Sequence, residues 1–238
     1  MKFKRISALV ITFLLSMTAC ALFAACGGSG NEDGGSGKIQ YKRIACIGDS
    51  LTYGHVWHDE SYPVYLQELL GSEVEVKNFG VNGSAVTNRN EPNYTLKYDT
   101  LKEYSDSIAF QPDLVVIMIG TNDGYNWKGS APTFEEEYRK LVDSYFENGA
   151  EQVFLLTSPP TLPGNAFHLI DSVINAEVCP RQRALAEEYG LPLIDVRETF
   201  EAQENLRLLF RSENNDGVHF SVAGAKLVAN LVAEEIKK

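Results

Sequence analysis

The chain has 238 residues, which is enough for one sizeable α/β domain or two small domains. Hydrophobic residues make up 44% and charged residues 22%, proportions that exclude an intrinsically disordered chain and a protein with many membrane spans. The formal net charge is −11, and no basic run occurs outside the N-terminus, which argues against nucleic acid as a partner.

The N-terminal residues 1–25 have the pattern of a secretory signal peptide. Two lysines and an arginine precede an uncharged, mostly apolar stretch that ends in the segment 22–26 (LFAAC). Small residues before a cysteine resemble the lipobox of bacterial lipoproteins, in which Cys26 would be lipidated and become the mature N-terminus. A plainly secreted protein and an uncleaved membrane anchor are the alternatives, since the apolar stretch is about long enough to cross a bilayer.

Residues 26–38 are interpreted as the lipidated cysteine followed by a flexible tether. The part after Cys26 (GGSGNEDGGSGK) is rich in Gly and Ser, a composition that gives a root-mean-square reach of about 20 Å. Cys20 is a second, weaker candidate for lipidation. The expected location is therefore extracytoplasmic, with contact to the cell membrane through the lipid anchor alone.

Residues 39–238 alternate between strand and helix patterns, with no second linker and no internal repeat, and are interpreted as one domain. Strands are expected at 41–48, 73–79, 113–119, 152–157 and 191–196, and helices at 62–70, 98–110, 134–147 (with Thr133 as N-cap), 170–189 and 221–238. The segment 113–119 (DLVVIMI) is apolar almost throughout, as a strand buried on both faces should be. The pattern predicts a five-stranded parallel sheet covered on both faces, with ligands bound at the carboxyl ends of the strands.

The first two expected strands are followed by segments that suit a reactive site. The segment 48–54 (GDSLTYG) places Ser50 at a strand end, where it can be exposed as a nucleophile or can serve as an ordinary helix N-cap. The segment 78–84 (NFGVNGS) contains two glycines, which allow positive φ and close approach of the backbone to a ligand, or simply form a turn.

Two later segments carry further polar groups. In 120–123 (GTND), the amide of Asn122 can donate to a developing oxyanion, although Asn, Asp and Gly are also common turn residues. Near the C-terminus, Asp216 stands three residues before His219. A nucleophilic serine needs a base, and the base needs a partner that fixes its tautomer; the alternative is a surface histidine beside a solvated aspartate.

Together and in this order, the four segments resemble the SGNH, or GDSL-type, hydrolase family, whose four blocks carry Ser, Gly, Asn and His. The resemblance covers residues 41–238. In the second block it selects Gly83, with Gly80 as the alternative. It implies a flavodoxin-like three-layer α/β/α sandwich.

The resemblance also implies a mechanism. Ser50 attacks an ester carbonyl, His219 acts as general base and then as general acid, and Asp216 orients His219. The oxyanion hole is formed by the backbone N–H groups of Ser50 and Gly83 and by the side-chain amide of Asn122. No metal or cofactor is required, and the sequence contains no evident cluster of metal ligands.

Several other residues admit competing interpretations. Asp195 ends the fifth expected strand and is the alternative to Asp216 as the acid. His55 and His58 lie close to Ser50 and suit a substrate-binding loop or an exposed loop, with a metal pair as the third alternative. Structural or surface positions are expected for four residues: Asp49 with its carboxylate against loop N–H groups, Cys46 and Cys179 as separate buried thiols, and His168 on the surface.

The substrate is suggested by the residues that follow two of the site segments. Flat aromatic side chains suited to stacking on sugars occur there: Tyr53, Trp57, Tyr125 and Trp127. No long apolar loop is evident that would line a channel for an acyl chain. The expected function is a serine esterase that removes small acyl groups, chiefly acetyl, from carbohydrate. A lysophospholipase or thioesterase of the same family, and a catalytically silent binding protein on the same fold, are the alternatives.

Overall fold

The computed structural model describes residues 39–87, 96–127 and 131–238. The predicted signal peptide (1–25) and tether (26–38) lie outside these residues. The strands in chain order are β1 Arg43–Gly48, β2 Glu75–Gly80, β3 Ser84–Ala85, β4 Leu96–Lys97, β5 Leu114–Met118, β6 Gln152–Leu156 and β7 Leu193–Ile194. All neighbours in the main sheet are parallel, in the order β2-β1-β5-β6-β7. The two-residue strands β3 and β4 pair with each other.

Helices flank this sheet, with α2 packed against α8 and α4 packed against α6. In chain order they are α1 Ser50–Tyr53, α2 Tyr62–Leu70, α3 Lys102–Ala109, α4 Ala131–Glu147, α5 Asp171–Val173, α6 Cys179–Tyr189, α7 Val196–Glu201 and α8 Val222–Ile236. Short 3₁₀ turns occupy His58–Glu60, Tyr98–Thr100, Asn122–Asn126, Leu206–Leu209 and Glu213–Asn215. The predicted α/β fold with a five-stranded parallel sheet is confirmed.

The strand order locates the site. From β1 the chain passes to β2 on one side and later to β5 on the other, so the order reverses between β1 and β5. In open parallel sheets, ligands bind in the crevice that such a reversal opens at the carboxyl ends of the strands. Ser50 follows β1 and Asn122 follows β5, and both therefore lie at this crevice.

The core is centred on the middle strands, where all five residues of β5 are buried. Cys46 in β1 and Cys179 at the start of α6 are free and buried, which confirms the prediction of separate thiols. Burial raises the pKa of Cys46 to about 12 and that of Cys179 to about 11. Both groups are therefore protonated at neutral pH and contribute as small apolar side chains.

Two local expectations differ from the structure. Thr133 is not an N-cap, because α4 already includes Ala131 and Pro132, and the fixed φ of proline suits a first helical turn. The helix expected at 170–189 contains a π turn at Ile174–Val178 between α5 and α6. Pro180 follows that turn and has no N–H to donate to a carbonyl of the preceding turn, which favours a local change of hydrogen-bond pattern.

Within the part of the chain that the structure describes, we find no helix of the length and apolarity required to cross a membrane.

Candidate active site

The sharp turn from β1 into α1 presents Ser50. Asp49 caps α1, and its Oδ1 accepts a hydrogen bond from the backbone N–H of Leu51 at 2.9 Å. This confirms the structural role predicted for the Asp49 carboxylate. Ser50 is the first residue of the short helix, and 8% of its surface is exposed. The turn thus holds Ser50 in a nearly buried position.

Ser50, His219 and Asp216 form a continuous hydrogen-bonded line. His219 Nε2 lies 2.9 Å from Ser50 Oγ, and His219 Nδ1 lies 2.8 Å from Asp216 Oδ2. The other carboxylate oxygen, Oδ1, accepts the backbone N–H groups of Val218 at 2.9 Å and of His219 at 2.7 Å. One carboxylate therefore fixes both the loop before α8 and the orientation of the imidazole ring.

The same contacts keep the carboxylate of Asp216 charged. Burial by itself raises the pKa of this group, but the hydrogen bonds from the ring and backbone of His219 and from the backbone of Val218 outweigh burial and lower the pKa below its ordinary value. Asp216 is therefore ionised throughout the neutral range. A charged partner favours the His219 tautomer with its proton on Nδ1, which leaves the Nε2 lone pair facing Ser50.

The two glycines of the second segment have different surroundings. A Cβ added to Gly80 would lie 2.3 Å from the backbone nitrogen of Tyr53, so this glycine permits β2 to pack against α1. Gly83 has φ +79° and open space where a Cβ would lie. Ser84 Oγ donates to the carbonyl of Gly48 at 3.1 Å, which brings the loop against the end of β1. These features suit Gly83, rather than Gly80, for a backbone that meets a ligand.

Asn122 is fixed by contacts with the segment that follows Gly83. Its Nδ2 donates to the carbonyl of Ser84 at 2.9 Å, and the amide nitrogen has a second hydrogen available to a ligand. The adjacent buried Asp123 accepts the backbone N–H groups of Val86 and Thr87, both at 2.9 Å, and the hydroxyl of Thr87 at 2.7 Å. Asp123 thus ties the two loops together, a role that its turn-forming character in the sequence did not indicate.

Asp195 takes no part in this hydrogen-bonded line. It caps α7 by accepting the backbone N–H of Glu198 at 3.0 Å. It also accepts the hydroxyl of Thr157 at 2.9 Å and pairs with Arg183 at 2.6 Å. The alternative in which Asp195 orients the histidine is therefore wrong, because its oxygens are occupied by structural donors and Asp216 holds His219.

Two aromatic rings surround His219. The ring of His55 stacks on it, with centroids 4.0 Å apart and planes 5° apart. Phe167 meets it edge-on, at 4.7 Å and 87°. The loop of Phe167 is bound to the loop that carries Asp216 and His219, because Leu162 N–H donates to Gly217 O at 2.8 Å. Phe167 was not a candidate from the sequence, because no local pattern connects it to a loop some fifty positions later.

Trp57 is held beside the site by a cation. The guanidinium of Arg211 lies 4.2 Å from the ring centroid of Trp57 and also pairs with Glu60. The Nε of Arg211 donates to the carbonyl of Phe220 at 3.0 Å. One face of Trp57 is thus occupied by Arg211, which joins the loop after α1 to the loop that carries His219.

The other aromatic candidates differ in exposure and contacts. Tyr125 is 45% exposed. Tyr53 packs against the ring of His58, with centroids 4.9 Å apart, and Trp127 packs edge-on against the core residue Phe134 at 5.5 Å. Their roles in substrate binding stay predictions.

The remaining histidines do not build a metal site in the described part of the chain. No group of three or more His, Cys, Asp or Glu able to hold a metal ion occurs there. His58 and His168 are exposed, as predicted for His168. His55, by contrast, lies against the proposed base.

Comparison with known proteins gives a family and several relatives. The sequence profile described as the GDSL-like Lipase/Acylhydrolase family matches residues 46–227. An acetylxylan esterase of Xylanibacter ruminicola is 29% identical over 221 residues, which cover 82% of this chain and 43% of that protein. The chain thus spans less than half the length of that relative. A rhamnogalacturonan acetylesterase of Bacillus subtilis is 28% identical over 190 residues, covering 72% of this chain and 78% of the relative.

Solved structures show the same fold. The crystal structure of the lipase/acylhydrolase from Enterococcus faecalis superimposes with a TM-score of 0.65 at 26% identity, covering 82% of this chain and 95% of that one.

Proposed function

The chain belongs to the GDSL-like Lipase/Acylhydrolase family, and on that premise we propose that it is a serine esterase that removes small acyl groups, mainly acetyl, from carbohydrate. The catalytic part of this proposal rests on the hydrogen-bonded line from Ser50 Oγ through His219 to Asp216. A nucleophile, a base and a group that orients the base are the components that acyl transfer to serine requires.

In the first half of the reaction, Ser50 Oγ attacks the ester carbonyl carbon while its proton passes to His219 Nε2. The carbonyl π electrons move onto oxygen. The resulting oxyanion accepts hydrogen bonds from the backbone N–H groups of Ser50 and Gly83 and from the amide of Asn122. When the intermediate collapses, the bond to the leaving alcohol breaks, and the alcohol takes the proton from His219. The acyl group remains on Ser50.

In the second half, water attacks the acyl-enzyme. His219 removes a proton from the water, and the second oxyanion occupies the same hole. Collapse of this intermediate releases the carboxylic acid and returns the proton to Ser50 Oγ. Asp216 remains ionised throughout and stabilises the imidazolium in both halves.

Two observations support a small acyl group on a carbohydrate. The two relatives at 29% and 28% identity are described as acetylxylan and rhamnogalacturonan acetylesterases. The cavity that Ser50 and His219 share with Trp57 is about 10 Å³, close to the room that one water molecule needs. This cavity therefore does not itself hold a long acyl chain.

An exposed apolar surface favours the alternative of a longer acyl substrate. Val56 is 69% exposed and Phe167 is 39% exposed, and they lie in the two loops that contribute the rings around His219. An acyl chain could bury both. This observation makes a lysophospholipase or thioesterase the second candidate, and chain-length dependence distinguishes it from an acetylesterase.

For the wild-type enzyme we expect kcat/KM to fall steeply from acetyl through butyryl to octanoyl p-nitrophenyl esters. A methylene gains about 0.8 kcal/mol only where it is buried, and a shallow site leaves the added methylenes in water or in collision with protein. Acetate should also be released from acetylated xylan but not from the deacetylated polymer. The Ser50→Ala variant provides the blank for each ester. A maximum at octanoyl or longer would contradict the acetylesterase proposal and favour the alternative.

We further propose that the mature protein is a lipid-anchored, extracytoplasmic enzyme. The support is the sequence pattern of residues 1–25, Cys26 and the tether 26–38. The wild-type protein expressed in a bacterium should sediment with membranes, and Cys26→Ala should release it or leave the precursor unprocessed. The matched control is Cys20→Ala, which should remain in the membrane fraction. An intact mass that shows cleavage at another site and no lipid would exclude this anchor.

A further inference from the structure

The imidazole ring of His55 lies flat against that of His219. Their centroids are 4.0 Å apart and their planes differ by 5°. Phe167 stands nearly perpendicular to both rings, at 4.7 Å from His219 and 5.7 Å from His55. The ring that moves protons in the proposed function therefore contacts two other aromatic rings.

The hydrogen bonds of the triad lie along the ring plane of His219, from Nδ1 to Asp216 and from Nε2 to Ser50. The torsional motion of the ring is rotation about its Cβ–Cγ bond. Such rotation carries both nitrogens out of that plane and away from Asp216 Oδ2 and Ser50 Oγ. A flat ring against the face of His219 opposes this rotation, and the stacked contact with His55 supplies that restraint.

His55 is itself held in an unusual conformation. Its φ is +51°, in the left-handed region that few non-glycine residues adopt, although histidine is found there more often than most. Its backbone N–H donates to the carbonyl of Ser50 at 3.0 Å. Arg211 joins this loop to the His219 loop, since it lies over Trp57 and its backbone N–H donates to the carbonyl of His219 at 2.8 Å.

The charge of His55, as well as the flat shape of its ring, affects its contact with His219. Burial lowers the pKa of His55, a positive charge on His219 lowers it further, and Asp216 acts in the opposite direction with the smaller effect. The other groups packed around it, Trp57 and Phe167, carry no charge. Arg211 lies behind Trp57 and is paired with Glu60. His55 therefore faces His219 as a neutral ring at neutral pH.

We propose that His55 is a positioning residue, whose neutral ring stacks on His219 and holds it in the orientation in which Nε2 meets Ser50. The inference rests on the proposed function and concerns the same site. A neutral aromatic face also tolerates the imidazolium that forms during the reaction. A protonated His55 would instead place a second positive charge 4.0 Å from it.

Three substitutions separate the effect of the His55 ring from that of its backbone. His55→Asn removes the ring, and asparagine tolerates positive φ; His55→Gly is a second ringless variant. His55→Phe keeps a flat ring that cannot be protonated. With p-nitrophenyl acetate at pH 7.5, we expect His55→Asn to lower kcat about 10- to 100-fold, with little change in KM and no decrease in Tm. His55→Phe should restore most of kcat.

The pH profile provides a readout that a purely structural role would not change. The pH dependence of kcat/KM reports ionisations of the free enzyme. On the acid side of the wild-type profile, kcat/KM should approach a two-proton dependence on pH, because the rings of His55 and His219 must both be neutral. His55→Phe should show a one-proton dependence. Equal slopes in the two proteins would overturn the role of the charge state of His55.

The outcomes also distinguish this inference from the proposed function. Unchanged kcat in His55→Asn and His55→Gly, or a change in KM alone, would overturn the positioning role while leaving the mechanism intact, provided that a fluorophosphonate still labels Ser50. Absence of labelling at Ser50 in the wild type would overturn both. Reduced kcat in both ringless variants, with rescue by His55→Phe, supports the inference.

Discussion

The Ser50→Ala variant should lose about 10⁴- to 10⁶-fold in kcat, because no other group in the line from Ser50 to Asp216 can form the acyl-enzyme. The turn that presents Ser50 depends on the carboxylate of Asp49 and the backbone of Leu51, so the variant should keep its fold and Tm. The measurement is turnover of p-nitrophenyl acetate, together with covalent labelling by a fluorophosphonate and mass spectrometry of the labelled peptide. Only the wild type should carry the label at Ser50.

The matched control is Ser61→Ala. Ser61 lines the same small cavity as Ser50, but its hydroxyl lies 3.2 Å from Asn78 Nδ2 and takes no part in the line from Ser50 to Asp216. This variant should therefore retain labelling and turnover. Asn122→Ala should fall between the two, with a loss of about 10²- to 10³-fold, typical of one oxyanion donor. Normal turnover in Ser50→Ala would show that the proposed mechanism is wrong.

The second large effect is expected from Asp216→Asn, with kcat lower by about 10⁴-fold and the fold preserved. The oxygen of the new amide can still accept the backbone N–H groups of Val218 and His219, which Asp216 Oδ1 now accepts. Its NH₂ group would then face His219 Nδ1. Since that group is a donor, it favours the tautomer with the proton on Nε2, which cannot accept the proton of Ser50.

Asp195→Asn is the matched control for this substitution. Asp195 pairs with Arg183 and caps α7, so its replacement should lower Tm while leaving kcat close to that of the wild type. Circular dichroism and thermal melts of both variants, measured beside turnover, separate the two effects. Normal kcat in Asp216→Asn combined with a large loss in Asp195→Asn would contradict the assignment of the acid.

The sheet and the main catalytic candidates could be predicted because their signals are local. The segment Leu114–Met118 is apolar at every position, and a strand buried on both faces has this pattern. Asp216 and His219 are three residues apart, so a single loop brings them together. Ser50 stands two residues after the predicted end of β1. The α/β fold, the parallel sheet and the candidate nucleophile therefore followed from the sequence.

Other features required the packed molecule because they join loops that are distant in the chain. Ser50 and His219 are 169 positions apart, and their meeting could be inferred only through the family resemblance. The choice between Gly80 and Gly83 depends on the distance from Gly80 to the backbone of Tyr53, and no property of a glycine in a sequence indicates such a distance. Asp123 is similar, since its carboxylate binds a segment that precedes it by 36 or 37 positions.

The sequence by itself determined the α/β fold with its parallel sheet, a serine close to the end of the first strand and an Asp–His pair near the C-terminus, because periodicity and short spacings specify local structure. Only the tertiary structure showed that Asp195 caps a helix and that His55 and Phe167 enclose His219. The physical reason is that ring stacking and loop docking depend on how the loops pack at the carboxyl ends of the strands. That packing has no periodic signature in the chain.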